Sequence, residues 1–361
     1  MAKNTGKAHL LKHTLIYLDD IRSQIAPDDL SLKEAADRRD TVRMAAERFP
    51  GSLRSFNSGS LAHRTANCPI HQRDAGLDAD CGLVLDRRAW TRLGPDSSFS
   101  AGPTETVREL ISHLKGELAG TYPNATYEMT KRAILIRVNE PLPNGQDPTI
   151  DLVLALDRRG KPGLWIPNTH NDTWDASHPE EHTGLLTADP CDLRLVRQHA
   201  IRLGKAENKR EEDVPLCSFN LEAFGLMFVT RHRNDAEALL VLWTDGAADL
   251  RRRLTPDPAG VSKPINVEDV AYAVMRLEFA AGHLQAALDR DWDEEHVRSH
   301  LYELWPEFVS SYPGAETKAR LVAASRNPAS SVYYSGAGLS TATVAGAATV
   351  ATSVRSYGEP H

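Results

Sequence analysis

One aspartate interrupts an otherwise apolar run, Ile150-Asp151-Leu152-Val153-Leu154-Ala155-Leu156. The run has the length and branching of a buried strand, and an uncompensated carboxylate there costs on the order of several kcal/mol. A fold that buries Asp151 must give it a partner, and a metal ion would serve. A second apolar run, Cys81-Gly82-Leu83-Val84-Leu85, is led by Asp78-Ala79-Asp80. Residues two apart on a strand share a face, so these two carboxylates stand about 7 Å apart and can share divalent ions. With a third carboxylate from a neighbouring strand they make a hard-oxygen site for two Mg²⁺ ions roughly 3.5–4 Å apart, with Mn²⁺ as a substitute. That arrangement clamps the attacking and leaving oxygens of phosphoryl transfer. An Asp-x-Asp met alone is more often a solvated turn or a helix cap. Gly59-Ser60 upstream, whose turn at a helix start can offer backbone N–H groups and a hydroxyl to triphosphate oxygens, reverses those odds only together with the strand downstream and the buried third aspartate.

The remaining periodicity predicts an α+β chain. Helical spacing runs from Leu10 to Ile21 and from Ser31 to Arg48, and again from Thr104 to Leu118; Ala133 to Val138 reads as another strand. From Asp192 onward the pattern is mainly helical, with apolar faces in Leu193 to Leu203, Phe219 to Val229, Val267 to Leu288 and Val297 to Phe308. The expectation is a lobe with a mixed β-sheet over 1–190, including the N-terminal helices, and an α-helical lobe over 191–325, with a cleft between them. The Gly, Ala, Ser, Thr and Val run near the end reads as a flexible tail over 326–361.

Composition narrows the function. With 49 acidic against 42 basic residues the net charge is −7, so general affinity for long nucleic acid is not expected. The cysteines Cys68, Cys81, Cys191 and Cys217 form no Cys-x-x-Cys pair and read as reduced structural thiols. No apolar signal or spanning segment is evident at the N-terminus, and the expected location is the cytoplasm.

Ser58-Gly59-Ser60-Leu61-Ala62-His63-Arg64-Thr65-Ala66-Asn67 followed by Asp78-Ala79-Asp80-Cys81-Gly82 resembles the signature of the cGAS/DncV-like nucleotidyltransferases, bacterial relatives of oligoadenylate synthases. Further segments resemble the family: Trp165-Ile166-Pro167, Ser177-His178-Pro179-Glu180-Glu181-His182, Leu195 through Lys205, Ser218-Phe219-Asn220-Leu221-Glu222 and Asp257-Pro258-Ala259-Gly260. The long interval between Ser60 and Asp78, containing Asn67, Pro69 and His71, is similar to the DncV-like branch; Asp74 lies in it but off the strand.

The resemblance implies a polymerase-β-like catalytic lobe joined to a helical lobe, with nucleoside triphosphates, ATP or GTP, in the cleft. It implies synthesis of a cyclic di- or trinucleotide second messenger that activates an effector protein during phage infection. By position, Asp78, Asp80 and Asp151 would be the catalytic and metal residues. Gly59 and Ser60 would hold the triphosphate, Lys205 and Ser218 would contact phosphates, and Asp257 would reach a nucleotide from the helical lobe. No zinc-binding insertion is present, so activation by double-stranded DNA is not expected. In some relatives a ubiquitin-like ligase conjugates the C-terminus; here Gly358 precedes Glu359-Pro360-His361, and a plain tail is the simpler reading. The alternatives are transfer to a non-nucleotide or RNA acceptor and a catalytically silent nucleotide-binding scaffold.

Simpler readings hold for other residues. His170, His178 and His182 match no zinc spacing and read as loop or structural histidines. Ser218 is equally suited to capping a helix, and Trp165 and Trp174 read as core aromatics before base-stacking platforms.

Overall fold

The computed structural model describes residues 13–69, 76–210 and 214–309, and the backbone of 331–335 and 338–342. A seven-stranded sheet forms the first lobe, in the order β1 (Ser52–Ser58), β2 (Asp78–Leu85), β5 (Thr149–Asp157), β4 (Ile134–Arg137), β3 (Thr126–Met129). The hairpin of β6 (Leu164–Asn168) and β7 (Thr173–Ser177) joins the far end of β5. Among the described residues of this sheet, β2 and β5 alone run parallel and the other pairs are antiparallel.

Strand alternation decides which residues reach the cleft. Cys81, Leu83 and Leu85 of β2, with Leu152, Leu154 and Leu156 of β5, face a core capped by α2 (Asp29–Ala46) and α4 (Thr104–Leu118), where Val42, Leu110 and Leu114 are buried. The intervening residues face the other side, where Val84, Val153 and Ala155 pack with Phe56, Leu164 and Ile166. Asp80 and Asp151 fall on this second face. Gly82 belongs to it too, and a Cβ there would come within 2.1 Å of the Phe56 ring, so the missing side chain is what admits Phe56.

The second lobe is helical. Its core joins α6 (Cys191–Asn208), α7 (Ser218–Phe228), α8 (Asp235–Leu250), α9 (Val270–Asp289) and α10 (Glu294–Leu304) around Phe224, Trp243, Leu277 and Trp305. The N-terminal helix α1 (His13–Gln24) also lies here: Leu18 and Ile21 are fully buried in this core, so α1 packs with the helical lobe although its sequence neighbours belong to the sheet. Two short helices sit at the junction, α3 (Gly59–His63) and α5 (Pro179–Thr187). Within the segment expected as a tail, Ser331–Ser335 and Gly338–Ala342 pair as a hairpin, β8 and β9; its other residues, Gly358 included, lie outside the described residues, as do His71 and Asp74. Among the described residues no helix is long and apolar enough to cross a membrane.

Candidate active site

Asp80 and Asp151 stand directly opposite each other in the parallel β2/β5 register, and Asp78 stands opposite Thr149. Asp80 is 2% and Asp151 7% exposed, so two like charges are held side by side in a poorly solvated place. The Thr149 hydroxyl donates to Oδ1 of Asp78, orienting that carboxylate at the mouth. Cys81, the next residue, faces the opposite core, and burial together with the Asp80 charge pushes its thiol pKa up, which makes it an inert thiol.

The turn from β1 into α3 closes over these carboxylates. Gly59 has φ +69°, and a Cβ there would fall 1.7 Å from Oδ2 of Asp80. Only a glycine lets the backbone come this close to the carboxylate. Asp78, Asp80 and Asp151 line a small cavity of about 70 Å³ together with Ser60, Lys205 and Ser218. The sequence-predicted residues of the metal and phosphate sites therefore converge, from a β-strand pair, the turn into α3, and two helices of the other lobe.

Lys205 and Glu222 form a buried network behind this cavity. Lys205 Nζ donates to Glu222 Oε1 at 2.6 Å and to the Thr65 hydroxyl at 3.0 Å, while the His63 ring nitrogen Nδ1 donates to Glu222 Oε2 at 3.1 Å. Burial alone would raise the Glu222 pKa, but the Lys205 ammonium and His63 outweigh it and hold the carboxyl well below its usual range. The network ties α3 to α6 and α7 across the lobe junction. Lys205 thus stands at the small cavity as part of an ion pair. Ser218 opens α7, and the cap position falls to Cys217, which makes no side-chain capping bond.

Asp257 is not brought to either cavity lining. Its carboxylate accepts from His182 Nε2 at 2.6 Å and from the backbone N–H groups of Ala259, Val261 and Ser262, and its side chain is 1% exposed. Burial raises its pKa, and His182 with the Ser262 and Ala259 N–H groups outweighs that, holding it well below the usual carboxylate range. Asp257 is thereby bound inside the helical lobe. It folds the loop that follows it, and that loop presents Ser262, Lys263 and Asn266 to the large cavity. His182 is the structural histidine of its group, buried and packed on Phe219 at 4.6 Å, whereas His178 accepts the Glu181 N–H at the start of α5.

The large cavity, about 810 Å³, is lined by Ser58 and Gly59, next in the chain to Ser60 of the small one, and runs between the β6/β7 hairpin and the helical lobe. Trp165 and Trp174 line it while their indole N–H groups are bound inward, to Asp96 Oδ2 at 2.6 Å and to the Ala101 carbonyl at 2.9 Å. Both tryptophans are thus core residues with an edge on the cleft. Arg132, Asn168 and Asp175 supply its polar wall. Sequence reasoning passed over Arg132 and Asn168 because a lone polar residue beside a strand carries no local signal.

Hard carboxylate oxygens on adjacent strands, with a glycine turn against one of them, fit a divalent cation such as Mg²⁺ or Mn²⁺. Among the described residues no three His, Cys, Asp or Glu side chains are drawn together in a formed ligating cluster.

No protein-family model matches the sequence, and no curated protein matches it. Solved structures do. DncV of Vibrio cholerae in complex with GTP and 5MTHFGLU2 superposes with a TM-score of 0.63 at 12% identity, covering 83% of this chain and 96% of that one. The DncV cyclic AMP-GMP synthase with the linear intermediate pppA(3′,5′)pG gives 0.61 at 12% identity, covering 83% and 96%. The CD-NTase CdnG of Bradyrhizobium diazoefficiens with GTP gives 0.59 at 17% identity, covering 86% and 98%. The chain has the DncV and CdnG fold. At these identities the DncV-like architecture is retained across nearly the whole length of its neighbours, helical lobe included, while most side chains differ.

Proposed function

We propose that this chain is a CD-NTase, a metal-dependent nucleotidyltransferase that joins nucleoside triphosphates, ATP or GTP, into a cyclic di- or trinucleotide and releases pyrophosphate. One observation carries the reading: Asp80 faces Asp151 across the parallel β2/β5 pair, against the Gly59-Ser60 turn and on the cleft side. The DncV and CdnG fold supports it. The product would be a second messenger for an effector protein in anti-phage defence, made in the cytoplasm.

Phosphoryl-type transfer requires alignment and charge neutralisation more than covalent chemistry. The large cavity has the volume of a small-molecule ligand site and is lined by Gly59, the residue packed against Asp80. The backbone N–H groups at Gly59 and Ser60 and the Ser218 hydroxyl are set to hold phosphate oxygens from two sides. Asp151 is set to orient the attacking ribose hydroxyl. Two Mg²⁺ ions held by Asp78, Asp80 and Asp151 would neutralise the triphosphate and activate that hydroxyl.

Purified protein incubated with labelled ATP, GTP, CTP and UTP in Mg²⁺ or Mn²⁺, beside Asp78→Ala/Asp80→Ala, tests the proposal. A phosphatase-resistant cyclic product, seen by mass spectrometry from the wild type only, is expected. Nucleotide transfer onto RNA or another acceptor without any cyclic product would overturn it.

A further inference from the structure

Asp175 lies on β7 opposite Ile166, in the wall of the large cavity, with 38% of its side chain exposed. Two groups grip it, and both take the same oxygen: Asn168 Nδ2 donates to Oδ2 at 3.2 Å, and the Arg132 guanidinium pairs with Oδ2 as well. Arg132 is itself anchored by donating to the Pro167 carbonyl at 3.2 Å. The carboxylate is therefore held in place through one oxygen, in a cavity wall, beside a cationic group that lines the same cavity.

Resting on the nucleotidyltransferase reading, we infer that Asp175 is a base-reading residue that selects guanine at one nucleotide subsite of the cleft. A fixed carboxylate binds a base best through two adjacent donors. Guanine alone offers these on its Watson–Crick edge, N1–H beside the 2-amino group, with the O6 acceptor next in line for a neighbouring cation such as Arg132. Adenine sets its N1 acceptor beside its single amino donor and would turn a lone pair towards the carboxylate. Uracil has one N–H between two carbonyls, and cytosine one amino group beside two acceptors. A well-placed bidentate pair discriminates bases by roughly ten- to hundredfold, and the partly desolvated wall strengthens that preference.

Calorimetric titration with the non-transferable α,β-methylene analogues of GTP, ITP and ATP, on wild type and Asp175→Asn, tests the inference without requiring turnover. The wild type should bind the GTP analogue at least about tenfold more tightly than the ATP analogue. The ITP analogue, which lacks the 2-amino group, should also bind less tightly than the GTP analogue. Asp175→Asn should lose most of the guanine preference while its affinity for the ATP analogue stays constant, which also reports that the variant is folded. Equal wild-type binding of all three, or an unchanged preference in Asp175→Asn, would overturn base reading by Asp175. The nucleotidyltransferase reading would survive that result, since it stands or falls on formation of the cyclic product. Binding of none of the analogues would overturn base reading by Asp175 as well, and the cyclic-product assay would still decide the nucleotidyltransferase reading.

Discussion

The carboxylates of the two lobes are arranged on opposite principles. On β2 and β5, Asp80 and Asp151 are set like against like, across a register that no loop movement can change. In the helical lobe, Glu222 sits between Lys205 and His63, and Asp257 between His182 and three backbone N–H groups. The second pattern lowers the energy of the folded chain by itself. The first gathers two carboxylates at one point of the cleft, an arrangement common where a site acts on a ligand. On the proposed function, the difference separates residues that act on substrate from residues that hold the cleft in shape.

Substitutions in the two lobes put that division to the test. The largest effect is expected on activity: Asp80→Ala or Asp151→Ala should lower cyclic-product formation by about a thousandfold or more. Thermal unfolding of the same variants should show a melting temperature close to wild type, because the apolar faces of β2 and β5 are untouched. A clear drop in melting temperature would mean that these carboxylates are structural.

Lys205→Met should show the converse. Leaving Glu222 short of its main buried partner costs about 3–5 kcal/mol, read as a lower urea midpoint, and Lys205→Met/Glu222→Leu should recover much of it. Failure of the double variant to recover would point to a packing loss instead.

Gly59→Ala should reduce activity by about a hundredfold, because a Cβ 1.7 Å from Asp80 Oδ2 displaces either the turn or the carboxylate. The stability loss should be the smaller part, about 1 kcal/mol or somewhat more. Full activity in this variant would remove the turn from the site.

The smallest effect is a pH dependence. The folded pKa of Asp257 is depressed below its ordinary 3.8, so its ionised form contributes stability that is present above about that pH. As pH falls below 3.8 towards the folded value, that contribution is lost. The stability gap between wild type and Asp257→Asn should therefore be widest near neutrality and narrow in acid, measured by urea unfolding across the range. A gap independent of pH would show that the carboxylate charge is not what holds the loop.

Much of the catalytic lobe was legible because its signals are local. Asp151 in an apolar run and Asp78-Ala79-Asp80 ahead of another predict buried strands with carboxylates on one face, and β2 and β5 carry them so. The helices over 104–118 and 191 onward follow from apolar period in the same way. Less visible was β1, whose residues Ser52-Leu53-Arg54-Ser55-Phe56-Asn57-Ser58 form an edge strand with few inward side chains. The β6/β7 hairpin was equally quiet, since Thr173-Trp174-Asp175-Ala176-Ser177 mixes polar and apolar residues. Asp257 shows the limit of reading a motif by position: its segment could be recognised, but its direction depends on His182, which comes from a different element.

Order along the chain is enough to say which residues can be strands, which carboxylates share a strand face, and that a glycine precedes Ser60 at the turn. Those features depend on spacing, and spacing survives without any fold. Three-dimensional packing was needed to set β2 parallel to β5 with Asp80 facing Asp151, to place α1 with the helical lobe, and to bring Lys205 to Glu222 and His63. Neighbours in space are chosen by the burial of whole faces and the matching of buried charges. Neither is written in the local order of residues, because each depends on what the rest of the chain brings to the same place.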